Sequence, residues 1–145
     1  MFTLRHAQAS DDPAIHALIH TVGINPMALD WQRFLVAVDE HDHVIGTGQV
    51  KPHSDGTREL ASIAVDPCCR GHGIARAIIE RSLTENPPPL YLTCRGSLQA
   101  FYAQFGFQVI KDPALLPPYF RRMDSLGKTM QRLHFFKEPL LVMKR

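Results

Sequence analysis

With 145 residues the chain has the size of one domain, long enough to bury on the order of two thirds of its unfolded surface. Hydrophobic residues make up 45% and charged residues 21%, which excludes a wholly disordered chain. Sixteen Lys and Arg against fourteen Asp and Glu leave a formal charge of +2, too little to argue for a nucleic-acid partner.

No apolar run approaches the ~18 residues of a membrane span. The first six residues show no charged stretch followed by an apolar core, so secretion is not expected. Cys68, Cys69 and Cys94 are an odd number with no CxxC pair, and read as free thiols of a reducing compartment, the cytoplasm. His16 and His20 share a helix face without a third ligand nearby, so no metal is expected.

Residues 2–5 read as a first strand. Ser10, Asp11, Asp12 and Pro13 mark a helix start: a capping oxygen, acidic first-turn residues, and a proline whose missing N–H does no harm there. Ile15, Leu18, Ile19 and Val22 form its apolar face. Residues 23–26 break it, and a short helical segment is expected over 27–32. Strands are expected over 34–38 and 44–50 around a polar turn. The turn Ser54-Asp55-Gly56 then leads into a third strand over 59–65.

The pattern then changes. Asp66 and Pro67 end the strand, and Arg70-Gly71-His72-Gly73 opens an amphipathic helix with the rows Ile74, Ile78, Ser82 and Ala75, Ile79, Leu83. Asn86 and the three prolines after it stop the helix. A strand over 90–94 follows. Ser97 can cap a further helix that turns Leu98, Phe101 and Phe105 inward and Tyr102 toward the rim. Gly106 ends that helix ahead of a strand over 107–110. Residues 112–139 read as irregular, with a last strand over 140–143. Antiparallel strands come first and β-α-β follows, which is an α+β (mixed α/β) sheet with helices on its faces.

The segment from Glu59 to Ala75 carries the strongest chemical signal. A buried strand passes through a short loop into a helix N-terminus, where Gly71 and Gly73 let a ligand approach the backbone. Free first-turn N–H groups and the positive helix end then face one point, as in a phosphate cradle. A tight βα turn that needs glycine for its dihedral angles is the competing reading. A dinucleotide fingerprint lacks its third glycine, since Arg76 stands there. Gly127-Lys128-Thr129 ends like a P-loop, but Arg122 replaces the first glycine.

Arg70-Gly-His-Gly73-Ile-Ala75 has the form Arg or Gln, two residues, Gly, one residue, Gly or Ala, and Val65-Asp66-Pro67 precedes it. Phe101-Tyr102-Ala-Gln-Phe-Gly106-Phe107 follows about 30 residues later. In these two motifs, in their order, and in the strands ahead of them, the chain resembles the GNAT superfamily of N-acetyltransferases over essentially its whole length. The resemblance implies a single domain over 1–145, with a central mixed, mostly antiparallel sheet of about six or seven strands and about four flanking helices. It implies a V-shaped opening between the strands ending at Val65 and Cys94, where acetyl-CoA enters. The backbone of Ile63, Ala64 and Val65 would pair with the pantetheine arm. The N–H groups of Arg70, Gly71, His72, Gly73, Ile74 and Ala75 would bind the pyrophosphate. Many members have Asn shortly after the second of those strands; this chain has Arg95.

The implied reaction is direct attack of a primary amine on the thioester in a ternary complex, so a proton must leave the ammonium. Glu59 stands where histone-type members place their base carboxylate; a strand-end residue on a solvated turn is its other reading. Tyr102 stands where the family's acid for the leaving thiolate stands, and Cys94 reads as a small buried hydrophobe. The partners implied are acetyl-CoA and a small-molecule or peptide amine, with no nucleic acid and no membrane; a homodimer is left open. A non-catalytic acyl-CoA-binding or regulatory module on the same fold is the alternative. Within 112–139, Arg121 and Arg122 beside Tyr119 and Phe120 suggest either an anion clamp on the acceptor or a solvated surface.

Overall fold

A computed structural model describes residues 1–145. In chain order the elements are β1 (Thr3–His6), α1 (Asp12–Val22), β2 (Phe34–Val38), β3 (Val44–Pro52), β4 (Arg58–Val65), α2 (Ile74–Glu85), β5 (Tyr91–Arg95), α3 (Gln99–Ala103), β6 (Gln108–Val109), α4 (Pro118–Arg132) and β7 (Leu140–Lys144). The seven strands follow the order β1-β2-β3-β4-β5-β7-β6 in one sheet. The β4–β5 pair is parallel, with Glu59 opposite Tyr91; β1–β2, β2–β3, β5–β7 and β6–β7 are antiparallel. Seven mixed strands and four helices agree with the about six or seven strands and about four helices that the resemblance implies. No helix is long and apolar enough to cross a membrane.

The chain divides into two compact units, Met1–Lys51 with Leu60–Pro87, and Pro52–Glu59 with Pro88–Arg145. In the first unit, strand alternation sends side chains to two faces. Phe34, Val36, Val38 and Ala64 pack against Ile15, Leu18 and Ile19 of α1. Leu35 and Ala37 pack on the other face against Ile74 and Ile78 of α2. That helix lies close because β3 carries glycine beneath it. A Cβ on Gly48 would stand 2.5 Å from Ile78 Cγ2 and 2.8 Å from Ile63 Cδ1, and one on Gly46 would stand 2.5 Å from Ile74 Cγ2. Gly48→Val therefore overpacks the α2 face and lowers stability by about 1–3 kcal/mol. Denaturant unfolding checks this; an unchanged midpoint would mean that the helix yields freely.

Two local readings change in this unit. Asp11 does not cap α1 with its side chain. Its carboxylate accepts two hydrogen bonds from the Arg5 guanidinium, at 2.7 and 3.0 Å, and one from Gln8 N–H at 2.7 Å. The Arg5 contact holds that carboxyl below its ordinary range. The helix expected over 27–32 is instead a loop ending in one 3-10 turn, Trp31–Arg33. Asn25 Oδ1 accepts from Met27 N–H and Ala28 takes φ +56°, which leaves the helical region.

In the second unit, β7 inserts between β5 and β6. Tyr91, Leu116, Phe120 and Val142 form its core with Ile110 and Tyr119. Residues 112–139 are not irregular: a 3-10 turn, Pro113–Leu115, leads into the fifteen-residue α4. Pro118 occupies the first turn, where it is tolerated, and Phe120 and Gly127 face inward. The start of α4 lacks a cap of its own. Asp55, 64 residues earlier at the tip of the β3–β4 turn, accepts from Tyr119 N–H at 3.1 Å and supplies the missing partner.

Candidate active site

The β4–α2 junction in the first unit is built locally. Ala64 is buried, Ile63 and Val65 are half-buried, and Asp66 N–H returns to Ile45 O at 2.9 Å. Asp66 Oδ1 then accepts from Cys68 N–H at 2.9 Å and starts the 3-10 turn Pro67–Cys69. Arg70, Gly71, His72 and Gly73 are exposed, Ile74 is buried and Ala75 half-buried. Gly71 and Gly73 take φ of +82° and +78°, so the turn needs left-handed residues, and it leaves this backbone exposed. An added Cβ at either position meets nothing within 4 Å, so this backbone borders open space that a ligand can fill. Gly73 is the N-cap of α2, whose first intrahelical bond runs from Ala77 N–H to Gly73 O at 3.0 Å. Ile74 and Ala75 precede that first intrahelical bond, and their N–H groups sit at the positive end of twelve aligned residues. His72 Nδ1 donates to Cys69 O at 3.1 Å, which holds its ring against the loop.

Glu59 opens β4 in the second unit and is buried, not set on a solvated turn. His53 Nε2 donates to Glu59 Oε1 at 2.9 Å; a carboxylate only accepts, so this nitrogen carries the hydrogen. The two side chains are 10% and 11% exposed. Tyr119 of α4 stacks on the His53 ring at 3.5 Å between centroids, and Phe120 meets that ring edge-on at 5.7 Å. Phe120 in turn stacks on Tyr91. Burial and the nearby Glu59 carboxylate push the Tyr119 phenol above its ordinary range, with Arg122 opposing. His53 thus holds one carboxylate oxygen and an aromatic wall backs it, while Glu59 Oε2 makes no hydrogen bond within the chain.

Tyr102 lies on α3 of the same unit. The structure turns it inward: it is 9% exposed, whereas Leu98 is well exposed. Gly96–Leu98 form a 3-10 turn before α3, and its tighter winding takes Leu98 out of the row expected from α-helical spacing. Ser97 does not cap α3; its hydroxyl donates to Glu138 at 2.8 Å. Phe101 and Phe107 meet the Tyr102 ring edge-on at 5.2 and 6.3 Å. Burial, helped by Cys94, pushes the Tyr102 phenol up to about 12. Cys94 is the buried hydrophobe expected: its thiol donates to Met143 Sδ at 3.7 Å, and burial pushes it up to about 11. A thiol held neutral in this way is a poor nucleophile. Arg95 is exposed.

The sequence family described as "Acetyltransferase (GNAT) domain" matches residues 30–109, more than half of the chain. The chain belongs to the GNAT acetyltransferase family. Within it the chain is similar to the amino-acid acetyltransferase of Mycobacterium tuberculosis, with 33% identity over 90 residues, covering 55% of this chain and 52% of that protein. It is similar to the mycothiol acetyltransferase of Rhodococcus jostii, with 30% identity over 100 residues, covering 69% of this chain and 32% of that protein. The chain therefore spans about a third to a half of the length of these curated relatives. Among solved structures, Rv2747 from Mycobacterium tuberculosis in complex with CoA and NLQ aligns with a TM-score of 0.71 at 24% identity, covering 97% of both chains. That likeness shows the fold.

The sequence reading did not place His53 beside Glu59, and it read Tyr119 and Asp55 only as part of a segment near the acceptor and of a turn. A signal existed for His53. The Ser54-Asp55-Gly56 turn folds the chain back, His53 N–H meets Thr57 O, and the residues just beyond that closure become neighbours. Nothing local pointed to the stacking of Tyr119 on His53.

Proposed function

We propose that the chain, read as a single catalytic domain over 1–145, transfers an acetyl group from acetyl-CoA to a primary amine by direct attack in a ternary complex. The β4–α2 junction carries this reading: two left-handed glycines with open space beside them, at the N-terminus of the twelve-residue helix α2, in a chain of the GNAT family. In this reading the backbone of Ile63, Ala64 and Val65 holds the pantetheine arm. The N–H groups from Arg70 to Ala75 hold the pyrophosphate. Glu59 takes the ammonium proton, directly or through water, on the oxygen that His53 leaves uncommitted. The amine lone pair attacks the thioester carbonyl carbon, the C–S bond breaks, and the departing sulfur takes the proton of the Tyr102 hydroxyl. The second proton of the new amide nitrogen returns to the Tyr102 oxygen, directly or through water. Burial raises that hydroxyl above its ordinary range, which favours the protonated form that a donor needs. The names of the relatives support a small-molecule amine as acceptor, and three free cysteines support a reducing cytoplasm.

Gly73→Val tests the cradle. The side chain fills the space the pyrophosphate needs, so calorimetry should show acetyl-CoA binding weakened by about 1.5–3 kcal/mol, roughly 10- to 150-fold in Kd. The left-handed φ also strains valine, so the measurement is made on protein shown to be folded. Unchanged affinity removes the cradle. If acetyl-CoA binds and no amine in a broad panel is acetylated, the chain is an acyl-CoA-binding module instead.

A further inference from the structure

The inner face of β3 does something unusual for a strand packed under a helix. Thr47, Gln49 and Lys51 alternate along it, so they share one face, and all three are buried. Across the ladder, Val36 lies opposite Thr47 and Phe34 opposite Gln49, and both belong to the apolar cluster under α1. The core thus runs along β3 into a polar row.

The row is not satisfied by the protein. Thr47 is: its hydroxyl donates to Ser62 O at 2.9 Å. Gln49, 1% exposed, donates through Nε2 to Ser62 Oγ at 2.8 Å and to Ala28 O at 3.3 Å, but its buried Oε1 accepts nothing. Lys51 is 5% exposed, and its ammonium has one long contact, to Met27 O at 3.4 Å, with no carboxylate within ion-pair distance. Asp30, the acid in the adjoining loop, is committed to Gln32 N–H at 3.1 Å and to Arg33 at 3.7 Å. Pinning the loop at residues 27 and 28 accounts for two of the donors. It needs neither a buried positive charge nor a spare acceptor, and both are costly to bury unpaired.

We propose that Gln49 and Lys51 form the anchoring subsite for the acceptor, and that the acceptor is a small amine bearing a carboxylate, as an amino acid does. Lys51 pairs with the carboxylate and Gln49 Oε1 accepts an N–H from the same molecule. The subsite deepens the acetyl-transfer reading above and rests on it for the word acceptor.

The test compares an amino acid with its own amide, which differ at the carboxylate and share the amine. Binding is measured by calorimetry with CoA present, and turnover with acetyl-CoA, over a panel of side chains and with a polyamine. For at least one amino acid, wild type should bind and acetylate the free acid at least tenfold better than the amide. Lys51→Met keeps the apolar stem and loses the charge; it should erase that preference and raise the KM of the acid about tenfold or more, with acetyl-CoA affinity within about twofold. Lys51→Arg should keep the preference. Equal use of acid and amide by wild type, a better result with the polyamine, or a preference that survives in Lys51→Met overturns the subsite while leaving acetyl transfer standing. Binding of the acid that depends on Lys51 in a protein that does not bind acetyl-CoA supports the subsite and overturns acetyl transfer. If neither acid nor amide binds, the subsite falls.

Discussion

Tyr102→Phe should lower turnover by roughly 10²–10⁴-fold, the usual worth of a positioned proton donor, while acetyl-CoA affinity stays within about twofold. The substitution deletes one oxygen and keeps the ring that Phe101 and Phe107 meet edge-on, so packing is preserved. The sign of the pH effect is fixed by the same burial. Desolvation disfavours the phenolate and pushes the group up to about 12, so the donor form persists well past neutral pH. Single-turnover measurement with acetyl-CoA prebound isolates the chemical step. A wild-type rate in the variant, measured that way, removes Tyr102 from the chemistry.

Glu59→Gln should cost a similar factor at neutral pH, roughly 10²–10⁴-fold in kcat/KM for the amine. Glutamine has the same shape, and its Oε1 still accepts from His53 Nε2, so the stack of His53 on Tyr119 is retained. Only the ability to take a proton is lost. The variant then uses amine that has already lost its proton in solution, so its rate should climb with pH until the acceptor's own ammonium has titrated. The deficit against wild type should therefore shrink toward alkaline pH. The pH profile of kcat/KM reads this directly: a parallel offset, or an unchanged profile, leaves Glu59 a structural partner of His53 and nothing more.

Much of this site was legible because it is made of local physics. Residues 70–75 announce themselves through glycines placed where a strand gives way to a helix, and the structure finds those glycines left-handed and exposed. Glu59 was located by the resemblance, at the position where histone-type members place their base carboxylate. Its burial and its His53 partner came from the return of the β3–β4 turn. Tyr102 was located by motif and misoriented by spacing, because α3 has five residues and a 3-10 turn ahead of it shifts the phase. A pattern that short cannot fix which side is inner.

The sequence by itself determined the strand periodicities, the apolar faces of α1 and α2, the break at three successive prolines and the β4–α2 junction. Each of these follows from dihedral preference or from a hydrophobic repeat within a dozen residues. Tertiary structure alone decided α4. Its start has no side-chain cap nearby, and the acceptor for Tyr119 N–H is Asp55, 64 residues away in the chain. Once the β3–β4 turn supplies that oxygen, Phe120 is buried against Tyr91 and Tyr119 closes over His53. The polar row on β3 was undecided for the same reason. An alternation of Thr47, Gln49 and Lys51 reads as the wet side of a strand until the facing residues, Val36 and Phe34, turn out to belong to the core.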